Sequence, residues 1–440
     1  SIATKILVIY QALKIGISMH MNDAPLRAPW LEAIARVFSG SPVYAVGGTV
    51  RNTLMGLPVS DVDLCGAARP GEVQELCEGT QITARLRAAH FGTVELMIGG
   101  HMAEYTTFRH DSYRGGHQPF AVRFAASVEE DAFRRDFSVN ALYAPLDDPA
   151  TVIDATGGLQ HLKERILHTV TADPDQVLKD DGLRILRAAR FQAELGFTPT
   201  DAVLASAKKN VRLLDEIAAE RKRDELTKLL QSDTKYPTLR RTVPPVSAGL
   251  ATLVRVGAWG KLFGSLAPMD FTALDHAQAL GAGGKLALLY HRETPERLTE
   301  TMAALRFNKR GIQAAADALA VLRALRNPKT EPSDALRFGL PALQTAITML
   351  AVLSDEPETQ KRAERILASV LKKNIPAGVH ELAVGGDDLL TLCAETGVPR
   401  ERIGAVLSTL WRDAADGRVP NTRDALLTRA RKHLIDSQNG

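Results

Sequence analysis

Val43-Tyr44-Ala45-Val46-Gly47-Gly48-Thr49-Val50-Arg51-Asn52, followed at Asp61 by Asp61-Val62-Asp63-Leu64-Cys65, is the stretch on which the reading of this chain turns. An apolar strand runs into two glycines. A short helix follows and is stopped by Gly56 and Pro58. A second strand then carries carboxylates at i and i+2. Strand side chains alternate between faces, so Asp61 and Asp63 point the same way, roughly 6–7 Å apart. Like charges on one face repel, and a cation between them relieves the repulsion. Mg²⁺ takes oxygen ligands and favours sites shared with phosphates. The adjacent glycines let backbone N–H groups approach such a phosphate. Metal and triphosphate are both implied by one short segment.

Composition sets the frame. A chain of 440 residues with 45% hydrophobic and 24% charged residues has material for several packed domains. A net charge of +3 permits a nucleic-acid partner without demanding one. Cys65, Cys77 and Cys393 are too few and too scattered for a disulfide framework or a zinc site. They read as reduced thiols of a cytoplasmic protein. No apolar run is long enough for a membrane span. Residues 1–22 read as a leader, without a signal-peptide cleavage site, and are set aside; Met19 and Met21 are plausible starts.

From Pro42 to Leu146 strands and short helices mix. Thr93–Ile98 and Met102–Phe108 read as a hairpin across Gly99-Gly100, with Met102, Glu104 and Thr106 on one face. Asp111 to Pro119 reads as a glycine-rich mobile loop. From Thr151 the chain reads as helical throughout, with long helices over Gln176–Gly196 and Val211–Gln231. The expected fold class is therefore α+β: a small α/β head with a mixed sheet, then an elongated all-α neck, body and tail. The expected boundaries are 23–147 for the head, 148–245 for the neck, 246–375 for the body and 376–440 for the tail.

Four further segments follow in order: Glu104 on its strand; Arg134-Arg135-Asp136-Phe137-Ser138-Val139-Asn140; Asp154 with Gly157-Gly158; and Asp180-Asp181-Gly182-Leu183-Arg184, continuing to Arg187. With the opening motif, and with Glu220-Arg221 to Glu225-Leu226, this set resembles the class II tRNA nucleotidyltransferase and bacterial poly(A) polymerase family. The likeness covers roughly Val43 to Leu230.

The resemblance implies a nucleotidyltransferase. In it Asp61 and Asp63 hold two Mg²⁺ ions, and Glu104 is the third catalytic carboxylate. Gly47, Gly48, Arg51, Arg134, Arg135, Asp136, Asn140, Asp181, Arg184 and Arg187 serve the nucleotide. For Arg135 and Asp136 an ion pair between head and neck is the structural alternative, and the two roles can coexist. Asp181 and Arg184, three apart on one expected helix, share a face. An acceptor-only and a donor-only side chain together match the pairing edges of cytosine and adenine. Uracil or guanine would leave polar groups unpaired, at a cost on the order of 1–3 kcal/mol each.

Three departures from the family pattern stand out: Asn52 in place of Asp, Asp180 in place of Glu, and Gly115-Gly116-His117-Gln118 in the loop. In the tail, Gly385-Gly386-Asp387-Asp388-Leu389 and Gly397 resemble the C-terminal domain of short bacterial CCA-adding enzymes. Arg400, Arg402, Arg412, Arg418, Arg423, Arg429, Arg431 and Lys432 offer phosphate contacts to a tRNA acceptor arm, or else form a solvated helix face. The expected function is addition of CCA to tRNA from CTP and ATP. A poly(A) polymerase, a partial CC- or A-adding enzyme, and a non-catalytic RNA-binding protein are the alternatives. Monomer and homodimer are both open.

Overall fold

The computed structural model describes residues 24–88, 91–113, 119–125, 127–396 and 399–436. The expected leader at 1–22, loop residues 114–118 and Gly397 lie outside these. The chain divides into two compact units. One comprises 1–217 with 235–261, the other 218–234 with 262–440.

The first unit is built on a sheet. Helix α1 (Pro29–Val37) precedes β1 (Val43–Val46), then come α2 (Gly48–Leu54), β2 (Val62–Gly66), α3 (Pro70–Cys77), β3 (Thr83–Ala88), β4 (Thr93–Ile98) and β5 (His101–Thr107). Two strands, β6 (Arg109–Tyr113) and β7 (Pro119–Phe124), form a separate antiparallel pair. Asp111, Ser112 and Tyr113, expected in a loop, are therefore strand. Helix α4 (Val128–Ala132), β8 (Leu142–Pro145) and β9 (Ile153–Asp154) complete the sheet. Its seven strands run β3-β4-β5-β2-β1-β8-β9. The β2–β5 pair is parallel and the others antiparallel, so the sheet is mixed.

Alternation along β1 and β2 sends side chains to two cores. Val43, Ala45 and Leu64 join the larger one. Val46 and Cys65 join a smaller one with Phe108, Val128, Ala132 and Tyr143. Asp63 has the parity of Cys65, so it edges the smaller core, and Asp61, expected on this strand, lies just before it. Helix α2 begins at Gly47, whose φ of +64° suits only glycine at low cost, and stops before Gly56, at +65°.

Beyond the sheet come α5 (Gly158–Glu164), β10 (Ile166–Leu167), α6 (Pro174–Asp180), α7 (Leu183–Leu195), β11 (Thr198–Pro199) and α8 (Asp201–Lys209). Three expectations are corrected here. The region from Thr151 is not all helical, because β9 closes the sheet and β10 pairs in parallel with β11. The expected helix over Gln176–Gly196 is two helices. Asp181 is extended, at φ −148°, and its Oδ1 accepts from Leu183 N at 3.0 Å, in the manner of an N-cap. The break lets Gly182 sit against Leu213, where a Cβ would come within 2.7 Å of Leu213 Cβ. The expected Val211–Gln231 helix is likewise divided into a 3₁₀ turn at Val211–Asp215 and a helix at Ala219–Leu230.

The second unit is helical, with its longest helix at Lys309–Arg326. Lys285, 1% exposed, bonds Leu230 O at 2.8 Å and Asp233 at 2.5 Å within it. The tail helices Gly386–Thr396, Ile403–Ala415 and Arg423–Asp436 close on Leu389, Leu410, Leu426 and Ala430. Among the described residues no helix is long and apolar enough to cross a membrane.

Two glycine substitutions separate steric need from coincidence. A Cβ on Gly158 would lie 2.2 Å from the Ser138 carbonyl oxygen, whereas one on Gly71 meets nothing within 4 Å. Gly158→Ala is expected to destabilise the fold by about 1–3 kcal/mol through overpacking. Gly71→Ala in α3 should be neutral or mildly stabilising. Urea denaturation of both variants checks the contrast.

Candidate active site

Parallel pairing of β2 with β5 places Asp63 opposite Glu104, and antiparallel pairing of β5 with β4 places Glu104 opposite Glu95. Three carboxylates thus stand in register across three strands. Glu95 is 7% exposed and held by Arg87, with Nη2 and Nε at 2.5 and 2.9 Å. Asp61 and Glu104 are exposed and Asp63 half-buried. Thr49 fixes the strand end: its Oγ1 accepts from Asp63 N at 2.9 Å and donates to Asp61 O at 3.3 Å. Burial, then Glu104 and Asp61, push the Asp63 carboxyl up to about 6, against the pull of Arg135 and Arg51. The set is under-compensated for negative charge, which is the condition a divalent cation relieves. Among the described residues no group of three or more His, Cys, Asp and Glu side chains converges on a metal position. Asp61 and Asp63 are the carboxylates that could hold a cation here, with water and substrate on its remaining positions.

Guanidinium groups flank the glycine turn beside these acids. A Cβ on Gly47 would lie 3.5 Å from Arg135 Nη1, and one on Gly48 would lie 3.5 Å from Arg51 Nη2. Arg135 is fixed from behind by a residue the motif reading passed over. Asp131, 0% exposed, accepts from Arg134 Nε at 2.7 Å, from Arg135 Nη2 at 2.9 Å and from Tyr143 Oη at 2.8 Å. Burial alone would raise its carboxyl, but Arg135, Arg134 and the Tyr143 hydroxyl outweigh it and hold Asp131 at about 2. Its spacing, three and four residues before the two arginines, was a visible signal.

Asp136 is buried. It accepts from Phe137 N at 2.7 Å, from Asn140 Nδ2 at 3.2 Å and from Arg187 Nε at 2.6 Å. Arg187 first, then Arg184, keep it well below the usual carboxylate range despite its burial. The alternative of an ion pair joining the head segment to α7 is therefore what the fold contains. Arg51, Arg187 and Arg190 lie 5.3, 5.1 and 4.0 Å from the centroid of the Phe191 ring.

Asp181 and Arg184 do not share a helix face, because the break between α6 and α7 falls between them. Arg184, 7% exposed, donates from Nη1 to Val177 O at 2.9 Å and from Nη2 to Arg134 O at 2.6 Å. The structure thus brings Asp61, Asp63, Glu104, Gly47, Gly48, Arg51, Arg135 and Asn140 together. Asp136 and Arg187 lie behind them as an internal pair. In the tail, Arg423, Arg429 and Arg431 pair with Asp388, Asp413 and Glu395 at 2.7–2.8 Å, and Arg418 with Asp416 at 3.0 Å. Arg400, Arg402, Arg412 and Lys432 are exposed.

Comparison with known proteins gives a consistent picture. Residues 43–168 match the family model described as "Poly A polymerase head domain". Residues 285–430 match that of tRNA nucleotidyltransferase domain 2. The chain is 30% identical over 394 residues to a CCA-adding enzyme of Limosilactobacillus fermentum, covering 89% of this chain and 93% of that one. It is also 30% identical over 416 residues to one of Lactiplantibacillus plantarum, covering 91% and 94%. A crystal structure of the Bacillus stearothermophilus CCA-adding enzyme in complex with CTP superposes with a TM-score of 0.72 at 26% identity, over 94% of this chain and 99% of that one.

The pH linkage of Asp63 gives a test. Its folded value of about 6 exceeds its ordinary 3.8, so the folded state binds this proton more tightly. The stabilisation is complete below the ordinary value and is lost as pH rises through about 6. With divalent ions chelated, Asp63→Asn should raise Tm by a few degrees above pH ~7 and leave it unchanged below pH ~4. Added Mg²⁺ should raise Tm of the parent above pH ~7 and not that of the variant. An equal gain at both pH values would show that charge is not the cause.

Proposed function

Because the chain belongs to the CCA-adding enzyme family, we propose that it adds C, C and A to the 3′ end of tRNA from CTP and ATP, without a nucleic-acid template and with release of pyrophosphate. The observation that carries this is the pairing of two opposite charge sets around one glycine turn. Asp63 and Glu104 are in register on β2 and β5, Asp61 lies just before β2, and Arg51 and Arg135 flank Gly47 and Gly48.

Asp61 and Asp63 are the residues that would hold Mg²⁺. When bound, the metal would neutralise phosphate charge and favour ionisation of the attacking hydroxyl. Arg135 and Arg51 bind the triphosphate along the open side of the turn, where a side chain at 47 or 48 would intrude. Arg134 is held beside them through Asp131. Glu104, exposed next to Asp63, accepts a hydrogen bond from the RNA 3′-hydroxyl and orients it towards the α-phosphate. Asn140 and Asp136 brace Arg51 and Arg187 in turn.

Base choice falls to Asp181 and Arg184, as an acceptor and a donor of hydrogen bonds. Arg184 reads the base by exchanging its bonds to the Val177 and Arg134 carbonyls for the base edge. Residues 23–147 act as the catalytic head and 148–245 as the base-selecting neck. Residues 246–375 form the body, and 376–440 grip the tRNA acceptor arm through exposed Arg400, Arg402, Arg412 and Lys432. The protein works in the cytoplasm.

Incubation with tRNA ending before CCA, or lacking only A, tests the reading, with CTP and ATP given singly and together. Three added nucleotides followed by arrest is the expected product. Long A tracts would identify a poly(A) polymerase, and two nucleotides or one a partial enzyme. No product would leave an RNA-binding protein. For base selection, Asp181→Ala should let UTP or GTP compete with CTP. Unchanged nucleotide choice in that variant would remove Asp181 from the selecting pair.

A further inference from the structure

Asn52 and Arg51 form an arrangement that sets a buried arginine against side-chain amides instead of carboxylates. Arg51 is 5% exposed. Its Nε and Nη2 donate to Asn52 Oδ1 at 3.2 and 2.9 Å, and its Nη1 donates to Asn140 Oδ1. Both partners are neutral amides. Of five guanidinium N–H groups, three are taken, so one hydrogen on each Nη remains. Two carboxylates whose charge reaches Arg51, Asp136 and Glu194, are committed elsewhere. Asp136 holds Arg187 at 2.6 Å, and Glu194 holds Arg190 at 2.8 Å and Lys235 at 3.1 Å. Arg187 and Arg190 add positive charge on the same Phe191 ring. Arg51 is thus a desolvated cation held rigidly by dipoles, and Nη2 lies along the open side of Gly48.

The other half of Asn52 explains why the side chain is an amide. Its Nδ2 donates to Pro58 O at 3.0 Å and to Tyr236 Oη at 3.0 Å. A carboxylate at 52 would accept from Arg51 equally well but would face the Pro58 carbonyl with no hydrogen to give. It would also cancel the Arg51 charge at hydrogen-bond distance.

We propose that Asn52 is a positioning residue for nucleotide binding: it immobilises Arg51 while leaving the Arg51 charge uncancelled for the triphosphate. This rests on the reading of the glycine turn as the triphosphate cradle. An ordinary buried ion pair would dissipate most of that charge internally. Here it is left to an incoming anion, with the side-chain entropy already spent by the two amides.

The test is titration of full-length protein with CTP at low and at high KCl, for the parent, Asn52→Asp and Asn52→Ala. Asn52→Asp keeps Arg51 held but neutralised. It should weaken CTP binding about tenfold at low salt and flatten the salt dependence. Asn52→Ala loses two of the three bonds that hold Arg51, leaving only Asn140, but keeps the charge. It should weaken binding while keeping the salt dependence of the parent. Asn52→Asp binding as the parent does, or Asn52→Ala matching Asn52→Asp in both respects, overturns the proposal. Should Asn52→Asp fail to fold, Arg51→Met reads the same quantity: it should reproduce the weakened, salt-insensitive binding, and parent-like binding overturns the proposal. A parent that binds no CTP at all would sink the reading of the cradle instead.

Discussion

Like charges on neighbouring strands repel, and the first unit is arranged around one such repulsion. Register alone puts Asp63, Glu104 and Glu95 side by side. Three devices manage the result. Glu95, the most buried of the three, is neutralised by Arg87. Glu104 and Asp61 reach solvent. Asp63 is left between, with only the distant pull of Arg135 and Arg51 to favour its charge. Around that residual negative charge the fold sets guanidinium groups that do not touch it. The Asp131 and Asn140 side chains hold them back. Opposite charges this close would ordinarily collapse into ion pairs and leave nothing for a ligand. Separate internal partners for each set prevent that.

Much of this was legible in the chain because it is local. The strand–Gly-Gly–helix order, the i, i+2 acids and the Gly99-Gly100 hairpin each depend on neighbours within a few residues. Period-two alternation puts Asp63 on one face of β2, and the pairing with β5 sets Glu104 beside it, while Asp61 lies just before the strand. The α/β head and the largely helical remainder follow from the same patterns.

What the chain concealed is set from far away. Apolar periodicity runs unbroken through Asp181 and Gly182, so a single helix was the natural reading. The break exists because Leu213 packs where a Cβ on residue 182 would stand. Strands β9, β10 and β11 have two residues each, too few to carry a pattern. Tyr236 bonds a side chain 184 positions earlier, and no local signal marks it. Asp131 was within reach, since its spacing from Arg134 and Arg135 is a helical one. Asn52 reads as a departure in the sequence, and the four bonds it makes give that departure a physical reason.

The order of the polypeptide through its two units carries one more consequence. The first unit is left at Ile217 and re-entered at Lys235, and Tyr236 together with the Pro245–Arg255 helix that packs on α7 comes only with the return. A nascent chain emerging from the ribosome therefore holds an unfinished domain until the segment ending at Lys261 has been made, and an excised fragment ending near residue 217 would lack a wall of its own core.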